Sequence, residues 1–409
     1  MNKSTLKLIA ICFSFLTIVL SMPSVFVVSF SGDFISVQRH DTTSFGHEDH
    51  QPGNAGNPEP TPGPAPEPTP EPAPEPTPEP DPTPEPLPEL TPEPVPDSPS
   101  EPDPVVTVKI SAAGDVTLGG CPVSNSYSIF MREFRAIDED FSHFFRNVRH
   151  IFFDDDLTIL NLEGTLTNAT RHRGKTFNFR APPEFAMTLS TSGIEAVSLA
   201  NNHSQDFLDE GYRDTKDSLT AEGVAYFGNE ENTIYEVNGI KIGLFGFLAY
   251  IDTNEVRRSV TSAIEDLRTK GADLVIAFYH WGIEKDYRPS SSQRSLGRFT
   301  IDSGADLVLG THPHVIQGIE VYNGKNIVYS MGNFSFGGNR RPFDMDAIIF
   351  QQSFTFDNGV LQITNDTNII PIRTTAAQSY NNYQPTPADE QASGRIMSLL
   401  ERLNGELNR

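Results

Sequence analysis

Cysteine is almost absent from the chain, and this scarcity limits the covalent and metal chemistry open to it. The 409 residues include only Cys12, which lies in an apolar run, and Cys121, which lies far along the chain. These two positions do not make a plausible disulfide pair. A zinc site built on thiolates is also excluded, because such sites need several clustered cysteines. Any metal ion must therefore be bound through nitrogen and oxygen ligands.

Basic residues are missing from one long segment and outnumbered elsewhere. Residues 52–104 contain 23 of the 33 prolines and twelve acidic side chains, with no lysine or arginine. From residue 105 onward, 38 Asp and Glu face 27 Lys and Arg. Those 38 acidic and 27 basic side chains give the part after residue 104 a net charge of −11, so neither nucleic acid nor anionic lipid is an expected partner. Any binding of anions must depend on local basic clusters.

The first 30 residues predict a membrane anchor. Residues 6–30 are apolar or small apart from Lys7 and Pro23, and such a run is long enough to span a bilayer as a helix. Lys3 and Lys7 place the N terminus in the cytoplasm by the positive-inside rule, so the globular part is expected outside it, at the cell membrane. The alternative is a cleaved signal peptide and a secreted domain, although no clean small-x-small cleavage site follows the run.

Residues 31–104 predict a disordered linker rich in proline and glutamate. From about Pro58 the chain repeats a P-E-P-T-P pattern, in which alternate prolines lack amide donors and like-charged glutamates repel one another. Such a segment favours extended polyproline II, and about fifty residues of it reach on the order of 150 Å. The linker is interpreted either as a stalk that holds the domain away from the membrane or as a passive tether.

From Val105 onward the sequence predicts one large α/β domain, which we place at residues 105–375. Short β-branched runs such as VTVKIS and DLVIAF alternate with helical patterns, which is typical of layered α/β folds. Helices are expected at 127–153, 182–192, 206–222, 258–270 and 292–303. A tail at 376–409 is expected to contain a short amphipathic helix that packs on the domain through Ile396, Leu399, Leu400 and Leu403.

Candidate metal ligands stand where the predicted strands end. In layered α/β folds, the loops at the carboxyl ends of strands collect the ligands. A lone histidine after a strand is usually structural, but here the pattern repeats at successive strand ends, at Asp115, Glu163, Asn202, His280, His312 and His314. A set of carboxylate, amide and imidazole groups suits Mn, Zn or Fe, whereas Ca or Mg would normally have oxygen ligands alone. We therefore predict a centre for one or two divalent ions.

Two short motifs predict roles within this centre. In GTHPH, the side chains of His312 and His314 are expected to point the same way along an extended segment, toward neighbouring ions. In NNH, Asn202 can bind a metal through its carbonyl oxygen. His203 then faces the open side of the site, where a general acid for a leaving oxygen would stand. His203 is therefore the predicted catalytic residue.

Six ordered segments between residues 110 and 340 resemble a known family. They are GDVTL, NLEGTL, SLANNHSQDFLDEG, FYHWGIE, GADLVLGTHPHVIQGIE and YSMGNFSF. In content and order they resemble the CapA or PgsA proteins of capsule biosynthesis, which are associated with poly-γ-glutamate and are similar to calcineurin-like metallophosphoesterases. The resemblance implies a four-layer α-β-β-α sandwich and metal-dependent hydrolysis of a phosphoester. It also implies capsule synthase or export subunits as partners, and an anionic polymer or a phosphoester as substrate.

Carried over by position, the phosphoesterase pattern pairs Asn202 with His203 and assigns metal roles to Asp115, Asn202, His280, His312 and His314. Two positions depart from it, because Thr117 stands where those enzymes have a histidine and Glu163 replaces their bridging aspartate. One ion, two ions and a vestigial site therefore all remain open. The alternative function is a non-catalytic accessory or scaffold subunit of a polyglutamate synthase complex. A third is a hydrolase or binding protein acting on the amide bonds of the polymer.

A basic cluster near residue 173 is a candidate for substrate binding. Arg173, Lys175 and Arg180, together with Arg171 and His172, could hold a phosphate or a carboxylate-rich polymer. The alternative is an ordinary solvated loop.

Three residues inside the family-like motifs are expected to act structurally. Glu284 and Asn333 are expected to brace neighbouring loops through hydrogen bonds rather than to bind a metal. Trp281, the single tryptophan, is expected to pack and so fix the imidazole of His280, rather than to serve as a platform for substrate.

Overall fold

The computed structural model describes residues 25–31, 34–40, 105–364 and 366–407. The chain divides into two compact units, residues 1–93 and 94–409. In the first unit, strands β1 (Val25–Ser31) and β2 (Phe34–His40) form an antiparallel hairpin. Within the described ranges, no helix is both long enough and apolar enough to cross a bilayer.

The predicted anchor and linker fall mostly outside the described residues, at 1–24 and 41–104. The end of the predicted membrane segment lies in β1, and β2 lies inside the segment predicted as a linker. The hairpin differs from the prediction because Phe34, Ile35 and Val37 are aromatic and β-branched residues that favour strands. The membrane anchor and the stalk stay predictions.

The second unit contains seventeen strands among its described residues. In chain order they are β3 (Val106–Thr117), β4 (Leu157–Leu162), β5 (Thr165–Leu166), β6 (Arg180–Ala181), β7 (Ala196–Ser198), β8 (Ala225–Phe227), β9 (Thr233–Val237), β10 (Ile240–Leu248), β11 (Leu274–His280), β12 (Leu307–Thr311), β13 (Ile319–Tyr322), β14 (Lys325–Val328), β15 (Asn333–Phe336), β16 (Asp346–Asp357), β17 (Val360–Leu361), β18 (Asp366–Arg373) and β19 (Thr386–Pro387). Strands β16 and β18 lie in no run predicted from the sequence, and both belong to the larger sheet.

The α-helices of this unit flank the strands. They are α1 (Ser126–Ala136), α2 (Arg149–Phe152), α3 (Met187–Ser190), α4 (Leu208–Ala221), α5 (Asn254–Thr269), α6 (Ser291–Asp302) and α7 (Glu390–Leu407). The single helix predicted at 127–153 is wrong, because Asp138 and Glu139 adopt left-handed φ angles of 55° and 58° and end the helical segment. The predicted tail helix is confirmed, and Ile396, Leu400 and Leu403 are buried on it.

Two large sheets form the centre of the second unit. The nine-stranded sheet has the order β19-β18-β16-β3-β4-β7-β8, with β15 beside β3 and β17 beside β16. The six-stranded sheet has the order β13-β14-β12-β11-β10-β9. Strands β3, β4, β7 and β8 run parallel in the first, and β10, β11, β12 and β14 run parallel in the second. The carboxyl ends of the parallel strands in each sheet therefore lie along one edge.

Three buried apolar clusters make this unit an α/β sandwich. Between the sheets, side chains of β3 and β4 pack against those of β10, β11 and β12. The opposite face of β3, β4 and β7 packs against α1 to α4, and the opposite face of β10 to β12 packs against α5 and α6. Strands covered on both faces consist of nearly continuous apolar residues, as in LTILNL and LVIAFYH. Each large apolar side chain buried in this way contributes about 1.5–3 kcal/mol.

Candidate metal centre

Strand β3 changes its partner just before it reaches the site. It pairs with β16 as far as Ala112 and with β15 from Asp115 onward. Gly114 lies at this change, where a Cβ atom would sit 1.8 Å from the carbonyl oxygen of Gly332. The N–H of Asp115 donates to the same oxygen at 3.2 Å. Only glycine tolerates so close an approach, so the motif AAGD fixes the position of the Asp115 carboxylate.

The carboxylate of Asp115 is fully buried and is contacted from both sheets. The side-chain amide of Asn161, in β4, donates to Oδ1 at 2.8 Å, and the N–H of His312 donates to Oδ2 at 3.2 Å. Nδ1 of His314 lies 3.1 Å from Oδ2, and Nδ1 of His280 lies 3.8 Å from Oδ1. Side chains from β3, β4, β11 and the loop after β12 therefore meet at one point.

His280, the last residue of β11, joins this group through both ring nitrogens. Nε2 lies 2.9 Å from Oδ1 of Asn202 and 2.9 Å from Nδ1 of His312. Nδ1 lies 3.1 Å from the hydroxyl of Thr311 and 3.2 Å from the amide of Asn161. The predicted ligands Asn202, His280 and His312 are thus neighbours, although 110 residues separate the first from the last.

The loop after β12 differs from its predicted conformation. His312 and His314 have φ angles of 95° and 56°, so the segment is not extended. Their rings lie 5.9 Å apart at 54° to each other. Such backbone angles cost on the order of 1–3 kcal/mol for a non-glycine residue and persist only where surrounding contacts impose them. Here Oδ1 of Asn333 lies 3.0 Å from Nδ1 of His314, which is the bracing role predicted for Asn333.

Glu163, directly after β4, lies at the centre of the histidines. It is 1% exposed, and neither carboxylate oxygen accepts a hydrogen bond from any residue that the structure describes. Oε1 lies 3.7 Å from Nε2 of His280 and 4.0 Å from Nε2 of both His203 and His314. A buried carboxylate without hydrogen-bond donors is costly unless a cation compensates it. These residues therefore fit a divalent cation, which carboxylates and imidazoles bind well.

Three groups of side chains could each hold a metal ion, because the ligand atoms within each group lie within 4.8 Å of one another. Glu163, His280 and His312 form one group, and Asp115, Glu163 and His314 form another, so Glu163 belongs to both. Glu284, from the loop after β11, forms the third group with His312 and His314. Glu284 thus stands within reach of a metal, in contrast to the bracing role expected for it. The part of the chain that the structure describes therefore contains a possible metal site with a shared carboxylate.

His203 occupies one side of this group and is held by a second carboxylate. Its Nδ1 lies 2.6 Å from Oδ2 of Asp206, which is fully buried. Asp206 in turn accepts hydrogen bonds from Nζ of Lys175 at 2.6 Å and from the N–H of Phe179 at 2.7 Å. The ring of His203 packs 4.4 Å from that of Phe179. Nε2 of His203 is left facing Glu163, toward the centre.

The pKa values of these groups follow from burial and from their mutual charges. Burial, assisted by the Asp115 carboxylate, raises the pKa of Glu163 to about 8. Burial also lowers the pKa of His312 to about 4 and that of His280 well below its ordinary value. For His314, burial acts to lower the pKa, but the Glu163 and Asp115 carboxylates outweigh it and raise the pKa to about 10. Without an ion, protons on Glu163 and His314 therefore balance the buried charge.

The predicted basic cluster lies beside the centre, and its side chains are already engaged. Lys175 contacts Asp206 and donates to the carbonyl oxygen of Asn202 at 2.6 Å. Arg173 donates to the side chain of Gln205. The guanidinium of Arg180 lies over the rings of Tyr127 and Phe207 and donates to the carbonyl oxygens of Asn168 and Ala169. Substrate binding by Arg173, Lys175 and Arg180 stays a prediction.

Trp281 packs inside the domain, as predicted. It is fully buried, its ring stacks on Tyr279 at 4.5 Å, and its Nε1 donates to the carbonyl oxygen of Tyr329 at 2.8 Å. Because it contacts no solvent, it cannot serve as a platform for substrate. It fixes the end of β11, where His280 is the preceding residue.

Two residues that support the centre were missed by the sequence reasoning. Asn161 holds Asp115 and contacts His280, and it also accepts a hydrogen bond from the side chain of Asn201 at 3.0 Å. Asn161 could have been identified as a polar residue in a buried strand. It lies two positions before Glu163 and therefore on the same face. Asp206 orients His203, and its signal is an acidic residue three positions after that histidine.

Most of the second unit matches a known family and its curated relatives. A family model described as "Bacterial capsule synthesis protein PGA_cap" matches residues 109–338. The chain is 33% identical over 184 residues to "Capsule biosynthesis protein CapA" of Bacillus anthracis, covering 40% of this chain and 45% of that protein. It is 31% identical over 213 residues to "PGA biosynthesis protein CapA" of Bacillus subtilis (strain 168), covering 47% of this chain and 56% of that protein.

The match to these relatives is partial in length, since the chain spans about half of each. A crystal structure of a hypothetical protein from Thermus thermophilus is also similar, with a TM-score of 0.40 and 18% identity, covering 64% of this chain and 99% of that one. The family model covers more than half of the chain, from β3 to the loop after β15, and includes all seven residues predicted to bind metal or to act in catalysis. The chain therefore belongs to the bacterial capsule synthesis protein family PGA_cap.

Proposed function

We propose that the chain is a capsule-biosynthesis protein, anchored in the cell membrane, that hydrolyses a phosphoester or a related bond outside the cytoplasm. The proposal of metal-dependent hydrolysis rests on the surroundings of Glu163. Its carboxylate is buried among imidazoles and accepts no hydrogen bond from the described residues. The location depends on the predicted anchor at residues 6–30. The fold that we assign is the four-layer α-β-β-α sandwich of the metallophosphoesterases.

The residues that would hold one or two ions follow from the three groups described above. Glu163, His280 and His312 would hold one ion, and Asp115, Glu163 and His314 a second. Asn202, whose amide oxygen lies 2.9 Å from His280, would add a neutral ligand. When bound, Mn, Zn or Fe would supply a Lewis acid and lower the pKa of a coordinated water.

His203 would handle the proton of the leaving group. Asp206 holds Nδ1, so Nε2 is the atom that can exchange a proton with a substrate oxygen. Burial lowers the pKa of His203, and the carboxylate of Asp206 opposes that effect by stabilising the protonated ring. Lys175 and the N–H of Phe179 keep Asp206 in place. His203 is thus a candidate general acid with a fixed orientation.

The names of the relatives suggest the pathway in which this chemistry operates. The proteins from B. anthracis and B. subtilis are described as a capsule and a PGA biosynthesis protein. By analogy, we assign this chain to the synthesis or export of a poly-γ-glutamate-like capsule. Its proposed partners are capsule synthase or export subunits, and its proposed substrate is an anionic polymer or a phosphoester.

A non-catalytic accessory role is the second candidate, and Thr117 favours it. In the phosphoesterase pattern a histidine occupies this position, whereas the hydroxyl of Thr117 is buried and has no hydrogen-bond partner among the described residues. A relative in Mycobacterium tuberculosis, 25% identical over 208 residues, is described as a "Probable polyglutamine synthesis accessory protein". In this case the domain would keep its fold, and an ion, without turnover.

Hydrolysis assays on the purified full chain distinguish the two candidates. The protein is supplied with Mn, Zn or Fe and with bis-p-nitrophenyl phosphate. We expect metal-dependent release of p-nitrophenol that is lost in His203→Ala and in His314→Ala. His150→Ala, which changes an exposed histidine in α2, should retain full turnover. Absence of turnover with every metal, combined with capsule formation restored in cells by the His203 and His314 variants, would establish the accessory role instead.

A further inference from the structure

A pocket with aromatic walls opens directly onto the candidate metal centre. Its volume is about 380 Å³, and His203 and His314 of the candidate centre are among its lining residues. Phe177 and Phe343 stand at its mouth, and these side chains are 49% and 65% exposed. Pockets of this volume hold small molecules or one end of a longer chain. Part of a substrate that reacts at the centre can therefore occupy this pocket.

The same pocket has two cationic side chains, Lys285 and Arg341. Among the residues that the structure describes, neither has a carboxylate oxygen within 4.0 Å, whereas Arg257, Arg268 and Arg298 are each paired in that way. Nζ of Lys285 lies 5.8 Å from the ring centroid of Phe343. In a domain with an excess of acidic residues, two cations that line one pocket without a carboxylate partner among the described residues favour an anionic ligand.

One carboxylate also lines the pocket, and its position leaves these cations available. Glu284 has an oxygen within 4.8 Å of ligand atoms of His312 and His314. It is therefore directed toward the metal centre. Its charge would compensate an ion at that centre, whereas Lys285 and Arg341 provide positive charge in the same pocket.

A backbone hydrogen bond fixes the position of Lys285 relative to the loop that contains His312 and His314. Its N–H donates to the carbonyl oxygen of Pro313 at 2.8 Å, and Pro313 lies between the two histidines of that loop. Lys285 has a left-handed φ of 65°, which is strained for a residue with a side chain. The N–H of Arg341 donates to Oδ1 of Asn339 at 2.8 Å, and the backbone oxygen of Asn339 accepts from Asn381. Both cations thus extend from anchored loops.

We propose that Lys285 and Arg341 bind a second anionic group of the substrate, a carboxylate or a phosphate, while the first occupies the metal centre. The inference rests on the proposed function, because it takes the centre to be the place where the substrate reacts. The aromatic side chains would contact the part of the substrate between the two anionic groups. The substrate class is therefore a dianionic or polyanionic molecule with an anionic group at each end of this pocket.

Binding of non-hydrolysable phosphonates to the full chain tests this proposal. Benzylphosphonate and 4-carboxybenzylphosphonate differ by one carboxylate, and 1,4-phenylenebis(methylphosphonate) replaces that carboxylate by a second phosphonate. Affinities are measured by calorimetry at low salt, with Mn²⁺ and after its removal. In both states we expect at least one of the two-anion probes to bind at least about fivefold more tightly than benzylphosphonate. The preferred probe identifies the second group as a carboxylate or a phosphate.

Matched variants assign this preference to the two cations. Lys285→Gln/Arg341→Gln should abolish it, while affinity for benzylphosphonate stays within about twofold of the original. The control Arg258→Gln/Lys270→Gln removes the same charge from exposed positions on and just after α5 and should keep the preference. A wild-type chain without preference, or a preference that survives loss of Lys285 and Arg341, overturns the proposal.

The two proposals fail in different ways. If the two-anion preference is present but no phosphoester is hydrolysed, the hydrolase function fails and the anion subsite stands. If bis-p-nitrophenyl phosphate is hydrolysed but the preference is absent, the subsite alone fails.

Discussion

The two ends of β4 have buried or half-buried carboxylates in contrasting surroundings. At the amino end, Asp155 accepts a hydrogen bond from the hydroxyl of Thr158 at 2.8 Å, and burial raises its pKa to about 7. At the carboxyl end, Glu163 lies among His203, His280 and His314, and burial raises its pKa to about 8. The pKa values of both carboxyls are therefore raised, and burial is the main cause in each case.

The comparison shows that a raised pKa does not by itself mark a functional carboxylate. What differs is the chemistry of the neighbours, because Asp155 has the hydroxyls of Ser111 and Thr158, the Glu195 carboxylate and the Lys109 ammonium, which is not a metal ligand when protonated. Glu163 instead faces nitrogen atoms that can share a cation with it. Burial makes ionisation costly at both ends, but only the carboxyl end supplies the ligands with which an ion could offset that cost.

Replacing Glu163 and Asp155 by the corresponding amides should give the largest difference in metal affinity between the two ends of β4. Glu163→Gln is expected to lower the affinity for Mn or Zn by at least about 100-fold, because it removes the charge shared by two ligand groups. Asp155→Asn should leave the affinity unchanged. Metal content after dialysis, measured by elemental analysis, checks both variants. Full metal content in Glu163→Gln would refute the assignment.

Loss of a supporting amide should have a smaller effect at the same end of β4. Asn161→Ala removes the hydrogen bond to Asp115 and the contact with His280, and it should cost about 10–100-fold in metal affinity. The matched control is Asn147→Ala, which removes a hydrogen bond to Thr386. Equal affinities for the two variants would show that Asn161 has no supporting role.

Metal affinity should also fall as the solution becomes more acidic. Without an ion the pKa values of Glu163 and His314 are raised to about 8 and about 10, so both hold protons at pH 7 that an ion must displace. With at least one proton released for each ion, affinity drops about tenfold or more between pH 7 and pH 6. Calorimetry in buffers of different ionisation heat measures the protons released. A constant affinity across this range would contradict the prediction.

The amino end of β4 should instead influence folding stability. The pKa of Asp155 rises from 3.8 to about 7 on folding, so the folded state binds the proton more tightly and stability declines as pH rises from about 4 to about 7. Asp155→Asn removes this decline. It should stabilise the protein at pH 8 by about 1–2 kcal/mol, after allowance for partial exposure, and by little at pH 4.

Denaturant unfolding of Asp155→Asn at the two pH values measures this difference. Asp154→Asn, which changes the exposed neighbour of Asp155, should show no stabilisation at pH 8. An equal gain for Asp155→Asn at both pH values would mean that its cause is not ionisation.

Much of the candidate site could be predicted because strand ends are local features of the sequence. The runs before Asp115, Glu163, His280 and His312 are rich in β-branched and other apolar residues, so their carboxyl ends were identifiable. The structure brings these residues together with Asn202 and His314. Strand β16 was not predicted, and its pairing with β3 joins residues more than 230 positions apart, which no local pattern encodes. The hairpin of the first unit is local, and its aromatic and β-branched residues were overlooked in a segment predicted as a linker.

The details that escaped prediction depend on contacts between distant elements. The left-handed angles of His312 and His314 follow from packing against Asp115 and Asn333, which no local pattern encodes. The supporting role of Asn161 likewise requires β4 to lie opposite β11. Glu284 was expected to brace a loop, since its approach to His312 and His314 depends on the fold of the segment that follows β11.

The ligands of the candidate centre come from both sheets, and this origin has a mechanical consequence. Asp115 lies in β3 and Glu163 directly after β4, which are strands of the nine-stranded sheet. His280 ends β11, and His312 and His314 follow β12, which are strands of the six-stranded sheet. An ion bound by all of them would cross-link the two sheets, as a disulfide would, and would close a loop of well over one hundred residues. Removal of the ion by a chelator should then weaken the contact between the two sheets. Amide hydrogen exchange should become faster at the carboxyl ends of the parallel strands in both sheets.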